Sequence, residues 1–514
     1  MIRLDYKIGS MQQDFLACGE YNRKEMRMAK VKYSGVRESK PGRINDFGST
    51  GEQIAEKFKK GCLKRADRSF AQGLQCQQIN SMAALMSLED SVFISHSPQG
   101  CVGCSVMAVD MYRVGQIHRG AKQVKNARLF VTNIDQKSVV FGGESKLRET
   151  VKLAIDRYHP KLAFVYASCA SGIIGDDIDA ILNDMQSDYP ETILVPIHCE
   201  GFKSKVCASG FDAAFLAINK YILKHQKVEK EKGLLNLFAP TTVSYADQKE
   251  MERMLQALGA KVNYIPFYSS LEKIKKIPAA EASTSICKVF ADEFMQTLWE
   301  DYDIPFSHTV MPIGIRNTDQ WYRGIAKVLG KETEVEEIIK KEHARIEPLV
   351  AKLKERMQGK RVFVCGGTGR SFAAAALIDD FGMKLVGLET PTYDEDAQID
   401  IEYLNEIHKD YVVDIANMQP FEQVNLLNKI KPDAFIGVPV WAAKLGIPTT
   451  HVLDGKRPTM GYDGLLYLGN KIADQLENPG FNKKIAKHVK LPYRESWYQE
   501  DAFKYITLNE ENHE

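Results

Sequence analysis

A chain of 514 residues with a formal net charge of +1 is too long for one hydrophobic core, and too evenly charged for nucleic acid or a membrane surface to be its main partner. Its 44% hydrophobic and 26% charged content is that of a folded globular protein, and no apolar run approaches the roughly 20 residues that span a bilayer. The first residues lack a secretory apolar region, so a cytoplasmic protein is expected, and its ten cysteines then point to metal or redox chemistry rather than disulfides.

Residues 1–70 are polar and locally basic (Arg23, Lys24, Arg27, Lys30 and Lys32, then Lys57 to Arg68) and read as a solvated arm with short helices that packs on a partner subunit. From residue 71 the pattern becomes strand, loop, helix, repeated. Apolar runs at Ser91–Ile94, Ala127–Thr132, Leu162–Ala167 and Ile193–Ile197 alternate with amphipathic stretches at 144–158, 177–186 and 209–223, which predicts a parallel sheet with helices on both faces. After the charged run 224–232, a second unit starts at Gly233–Pro240, continues with the helix 246–258 and the strand 262–266, and holds a helix over 286–302. The charged stretch 332–357 predicts a long connecting helix. A third unit starts at 361–365, with strands at 384–388, 411–415, 434–438 and 450–453. The expected fold is α/β: three doubly wound, Rossmann-like parallel-sheet domains over 71–232, 233–357 and 358–514, preceded by the arm 1–70.

Three cysteines share one setting. Cys76 precedes the helical run 79–86, Cys101 follows the strand 91–94 on a turn that Pro98 and Gly100 tighten, and Cys169 follows the strand 162–167. The last two fall at carboxyl ends of parallel strands, where such sheets place ligands. Converging thiolates there suit an iron–sulfur cluster, although each cysteine alone also reads as a packed apolar thiol. Cys101 and Cys104 form a C-x-x-C, open to a thioredoxin-like pair or half a zinc site, but no second C-x-x-C or nearby His pair completes a zinc tetrahedron. Cys365-Gly366-Gly367-Thr368-Gly369-Arg370 joins a strand to a helix and can cradle an anion with backbone N–H groups, or be a tight turn. No G-x-x-x-x-G-K-[ST] occurs, so ATP binding at a P-loop is not expected.

His96-Ser97-Pro98-Gln99-Gly100-Cys101, Val140-Phe141-Gly142-Gly143-Glu144, Cys169 through Gly172-Ile173-Ile174-Gly175-Asp176-Asp177-Ile178, and Cys199-Glu200-Gly201-Phe202 together resemble the component proteins of nitrogenase, densely over 71–210, resuming at Cys287 and ending at Gly461-Tyr462-Asp463-Gly464. The resemblance implies an α-type subunit whose Cys76, Cys101 and Cys169 bind a P-cluster-type 8Fe-7S cluster shared with a homologous β-type partner in an α2β2 heterotetramer. It implies a second, active-site iron–sulfur cofactor on Cys287, with Gly366, Gly367 and Arg370 around it and electrons from a separate homodimeric ATP-binding iron protein. The family's cofactor histidine falls on Val452 or Leu453; His451 is either its replacement as second ligand or a packed histidine. Val109, Cys207, Phe211 and Val289 stand where nitrogen-reducing members carry polar donors, and the segment between Gly437 and Gly446 is shorter than the one holding the family's homocitrate-contacting lysine. Within the family this pattern is similar to the methylthio-alkane reductase branch, which cleaves carbon–sulfur bonds of small thioethers to methanethiol and a hydrocarbon; the cofactor implied is an all-iron 8Fe-9S-C type without homocitrate. A cofactor-assembly scaffold and a dinitrogen reductase are the alternatives. Neither nucleic acid nor membrane is an expected partner.

Overall fold

The computed structural model describes residues 49–60, 66–68, 76–103, 105–204, 206, 208–224, 228–240, 242–308, 310–416, 419–438 and 440–508. Most of the expected arm, together with Cys104 and Cys207, lies outside them.

Three parallel sheets carry the fold. In the first, the strands Leu129–Val131, Ser91–His96, Leu162–Ala167 and Ile193–Ile197 lie side by side in that order. Every residue of its two central strands is buried, as expected of strands covered by helices on both faces. The second sheet orders Lys261–Pro266, Leu234–Ala239 and Ala282–Ser285. In the third, Lys384–Thr390 and Ala434–Ile436 flank Arg361–Cys365, Val412–Ile415 and Thr449–Thr450 lie outside them, and Ser49–Thr50 pairs antiparallel with Val412–Ile415 at one edge. The helix Gly51–Lys59, capped by Thr50, then packs on the helix Glu395–Ile407, and its Phe58 ring lies 5.3 Å from that of Tyr393, which precedes that helix. The long helix Glu332–Met357 forms over the expected residues. Among the described residues, no helix is long and apolar enough to cross a membrane.

Two large cores join these layers. One spans the first and second sheets and is rich in aromatics, with Phe215 stacked on Phe294 at 4.9 Å and edge-on to Phe290 at 5.2 Å. The other spans the second and third sheets and includes Trp321, Tyr322 and the inner face of the long helix. Cys287 packs against both.

Three local expectations are corrected. The helix expected over 286–302 begins only at Asp292; residues 287–290 form a turn in which the Phe290 amide donates to the Cys287 carbonyl at 3.1 Å. The strand expected over 450–453 stops at Thr450, because its partner Ala434–Ile436 is three residues long and its last pairing is Ile436 with Thr450. His451 and Leu453 therefore do not alternate along a strand. The turn at Pro98 is a short helix, Gln99–Gly103; Gly100 does not take a positive φ, and a Cβ there would meet nothing within 4 Å.

Candidate metal centres

The carboxyl edge of the first sheet assembles the first centre. Cys76 caps the helix Gln77–Leu85 by position only; its side chain makes no capping bond. Gln77 Nε2 ties this helix to the carbonyls of Glu200 and Ser204 at 3.3 and 3.4 Å, and Gln78 Nε2 donates to Ser95 Oγ at 2.9 Å. Cys169 opens the helix Cys169–Ile174 behind a Ser168/Ser171 capping box, and Ser168 Oγ donates to the His96 carbonyl at 2.7 Å. Both thiols converge on Gly201: a Cβ there would lie 3.3 Å from Cys169 Sγ and 3.5 Å from Cys76 Sγ. Cys101 reaches the same edge, five residues beyond His96, which is in register with Ala167.

A buried polar network fixes these loops. His96 Nε2 lies 2.9 Å from Asp176 Oδ2 and Nδ1 lies 3.0 Å from Thr132 Oγ1, while the Gly143 amide donates to both Asp176 oxygens at 2.9 and 3.1 Å. Burial pushes the His96 pKa down against the pull of Asp176. A Cβ on Gly143 would come within 2.7 Å of Asp176 Oδ2 and 2.8 Å of His96 Cε1, so any side chain there must displace them. Around this centre, Val140, Phe141, Ile173 and Phe202 are exposed, Phe141 at 79%. Burial alone would raise the Glu200 carboxyl beside them, but His198 and Lys203 hold it at about 2.

Sequence reasoning did not place Cys199 here. It is fully buried, its Sγ donates to the Ala167 carbonyl at 3.4 Å, and burial pushes its thiol well up, with Glu200 and Cys76 adding to the effect. That is the setting of a packed thiol. Among the described residues, no three His, Cys, Asp or Glu side chains are placed to hold a single metal ion, and Cys104, the other half of the C-x-x-C, lies outside them.

The second centre gathers around Arg370. Its helix, Thr368–Asp380, follows the Arg361–Cys365 strand through Gly366 and Gly367. The close approach in this region falls at Gly437, where φ is +153° and a Cβ would lie 2.1 Å from the Cys365 carbonyl oxygen; a Cβ on Gly367 would meet nothing within 4 Å. Arg370 is 8% exposed. Its Nη1 donates to the Val452 carbonyl at 2.8 Å, and its Nη2 is buried with no hydrogen-bond partner among the described residues. Burial lowers its pKa, opposed by Asp247 and Cys287. Arg370 in turn acts on His451, whose pKa is lowered by burial and by the charges of Arg370 and Lys471 against the pull of the Leu453 carbonyl. Cys287, Arg370 and His451 are thus electrostatic neighbours. His451 Nδ1 lies 3.1 Å from the Leu453 amide and 3.4 Å from the Leu453 carbonyl, so it accepts in one tautomer and donates in the other. Beside Cys287, Phe211 lies edge-on to Phe290 at 5.0 Å, and Val109 and Phe211 pack into the aromatic core. Lys288 Nζ is paired with Asp400 at 2.8 Å.

The model of the nitrogenase component 1 type oxidoreductases matches residues 76–477. The iron–molybdenum cofactor biosynthesis protein NifE of Rippkaea orientalis is 25% identical over 430 residues, covering 82% of this chain and 88% of that protein. The nitrogenase molybdenum–iron protein alpha chain of Methanococcus maripaludis is 24% identical over 408 residues, covering 77% and 84%. Among solved structures, "Nitrogenase Cp1 at pH 5" superposes with a TM-score of 0.68 at 22% identity, over 83% of this chain and 92% of that one, and shares the fold. The chain belongs to the nitrogenase component 1 family of oxidoreductases.

Proposed function

We propose that this chain is the α-type subunit of a cofactor-assembly scaffold. In this reading Cys76, Cys101 and Cys169 hold one iron–sulfur cluster jointly with a homologous β-type partner, and Cys287 holds a second iron–sulfur cofactor. The residues fit such groups. Soft thiols face a cradle that one Cβ would fill at Gly201, and a buried arginine N–H beside Cys287 lacks an acceptor that an anionic, sulfide-bearing group supplies. When bound, iron–sulfur groups supply electron storage and transfer.

The observation that carries the scaffold reading is the lopsided second centre. In this reading Cys287 is the one thiolate of the second centre, and the buried Arg370 beside it brings N–H donors rather than a second ligand. One covalent side-chain ligand with hydrogen bonds around it retains a cofactor and lets it leave. The relatives named for cofactor biosynthesis support the same reading. The exposed Val140, Phe141, Ile173 and Phe202 at the rim of the first centre are surface for the partner proteins to cover.

A second reading is favoured by the apolar walls beside Cys287. With Val109, Phe211 and Val289 where dinitrogen-reducing members carry polar donors, a small apolar thioether fits better than dinitrogen. The chain is then the catalytic subunit of a nitrogenase-like C–S reductase fed by an ATP-dependent iron protein. One experiment separates the two. The complex is purified anaerobically, loaded with iron and sulfide, and divided: one half is mixed with a cofactor-free acceptor, the other with iron protein, ATP and 2-(methylthio)ethanol. Iron transfer, lost in Cys287→Ala, supports the scaffold; methanethiol and ethylene released without transfer replace it with the reductase. A complex that retains no iron sinks both.

A further inference from the structure

A cavity of about 630 Å³ lies between the helix Val106–His118, the segment that follows the Leu234–Ala239 strand, and residues 453–455. Its volume is that of a small-molecule site. The walls are mostly apolar, with Met111, Val114, Val243, Phe267 and Leu453 among them.

Arg119 stands at this wall. Its guanidinium lies 3.9 Å from the ring centroid of Tyr268, 4.7 Å from that of Phe267 and 4.9 Å from that of Tyr245. Nη2 donates to Gln248 Oε1 at 2.6 Å and Nη1 to the Gly115 carbonyl at 3.2 Å. Both acceptors are neutral, and no carboxylate pairs with Arg119 among the described residues. The two acids that share the cavity wall are engaged elsewhere. Asp454 takes bonds from Tyr467 at 2.5 Å, Lys471 at 3.4 Å and the amides of Lys456 and Arg457, and Asp110 faces Arg113 at 3.9 Å. The charge left unbalanced at the wall is therefore positive. A guanidinium has five N–H donors, so three remain beyond the two bonds above, in a geometry that matches a carboxylate. Stacking between rings lowers the cost of holding the cation half-buried but does not neutralise it.

We propose that this cavity binds a small organic anion, a carboxylate on a short apolar chain, with the carboxylate on Arg119 and the chain along Met111, Val114, Val243 and Leu453. It adjoins the second centre through Leu453, whose amide lies 3.1 Å from His451 Nδ1, and through Asp454, whose partner Lys471 also bonds the His451 carbonyl.

Calorimetric titration of the full chain tests this with hexanoate and hexan-1-ol, which share the apolar body and differ in charge. The expected result is hexanoate binding tighter than hexanol by roughly tenfold or more, a preference abolished in Arg119→Met and partly restored in Arg119→Lys. Val114 is 46% exposed, so Val114→Trp fills the cavity from its open side, and both ligands should then lose binding. Should Arg119→Met fail to fold by circular dichroism, the hexanoate preference of the native chain and its loss in Val114→Trp decide the matter. Equal affinity for the two ligands, no hexanoate binding at millimolar concentration, or an unchanged preference in Arg119→Met overturns the proposal.

Discussion

Gly201→Ala isolates the first centre from the fold around it. The added methyl would lie 3.3 Å from Cys169 Sγ and 3.5 Å from Cys76 Sγ, and Gly201 is not among the positive-φ glycines. Alanine therefore takes the native backbone without strain and gains about 0.4–1 kcal/mol from a stiffer unfolded chain. Against that stands one tight contact with a sulfur that can turn about χ1. The cluster-free chain should keep its stability within about 1 kcal/mol. The loaded chain is different. A group held by both thiolates would keep the sulfurs from turning aside from the added methyl. The full overpacking term, about 1–3 kcal/mol, then falls on the loaded state alone. That corresponds to a roughly 5- to 150-fold loss in cluster affinity. The assay is anaerobic reconstitution with iron and sulfide against a graded chelator, counting iron per chain, beside urea unfolding of the cluster-free protein. Equal iron retention in the variant would refute the geometry. So would a drop of several kcal/mol in cluster-free stability, because the methyl would then be breaking the fold rather than the site.

The remaining predictions use the same contrast between packing and site. Gly143→Ala forces Asp176 and His96 apart from contacts of 2.7 and 2.8 Å and should cost about 1–3 kcal/mol in urea unfolding, whereas Gly100→Ala, in open space, should stay within about 0.5 kcal/mol. Burial and the neighbouring Asp414 push Glu389 up to about 8 from the 4.5 of a free carboxyl. The folded state thus holds this proton longer than the unfolded state, so its contribution is present below pH 4.5 and lost as pH rises to about 8. Urea midpoints should fall over that interval and flatten in Glu389→Gln; an unchanged slope would place the titration elsewhere. Arg370→Met removes a buried cation whose one hydrogen bond among the described residues is to a neutral carbonyl, and should change cluster-free stability by less than about 1 kcal/mol while lowering iron retained at Cys287. Iron counts on a Cys76→Ala background read the second centre alone, and undiminished retention there would show that Nη2 does not face the cofactor.

Much of the fold was legible because parallel strands are unbroken apolar runs. Leu162–Ala167, Ile193–Ile197 and Arg361–Cys365 form over the residues expected, each buried on both faces or nearly so. The errors have a different origin. Lys288-Val289-Phe290-Ala291 continues a helical spacing of apolar residues, yet Ala291 sits at φ −141°, ψ 14°, and the chain turns there before the helix begins. Thr449 to Leu453 is rich in β-branched residues, but a strand lasts only as long as its neighbour, and Ile436 is where that neighbour ends. Neither fact is local. At the sites, the thiols were readable as types at strand ends. The buried guanidinium of Arg370 was not, because its burial depends on two elements distant in sequence, the Val452 carbonyl and the turn at Cys287.

The motif residues at the first centre divide by physical role, and the division explains why single motifs were weak evidence. His96, Gly143 and Asp176 come from three separate motifs and form one buried contact set, His96 fully buried and the Asp176 side chain 6% exposed. None of the three faces the Gly201 cradle in the contacts described. What they fix is the relative position of the loops that carry Cys101 and Cys169, to which Ser168 adds its bond to the His96 carbonyl. A cluster ligated by several thiolates tolerates little error in their spacing, so a chain that uses one must spend buried hydrogen bonds on holding loops apart as well as together. A glycine that only Asp176 and His96 can explain is therefore as informative about a cluster as a cysteine is, and it was legible in the sequence only as part of a set.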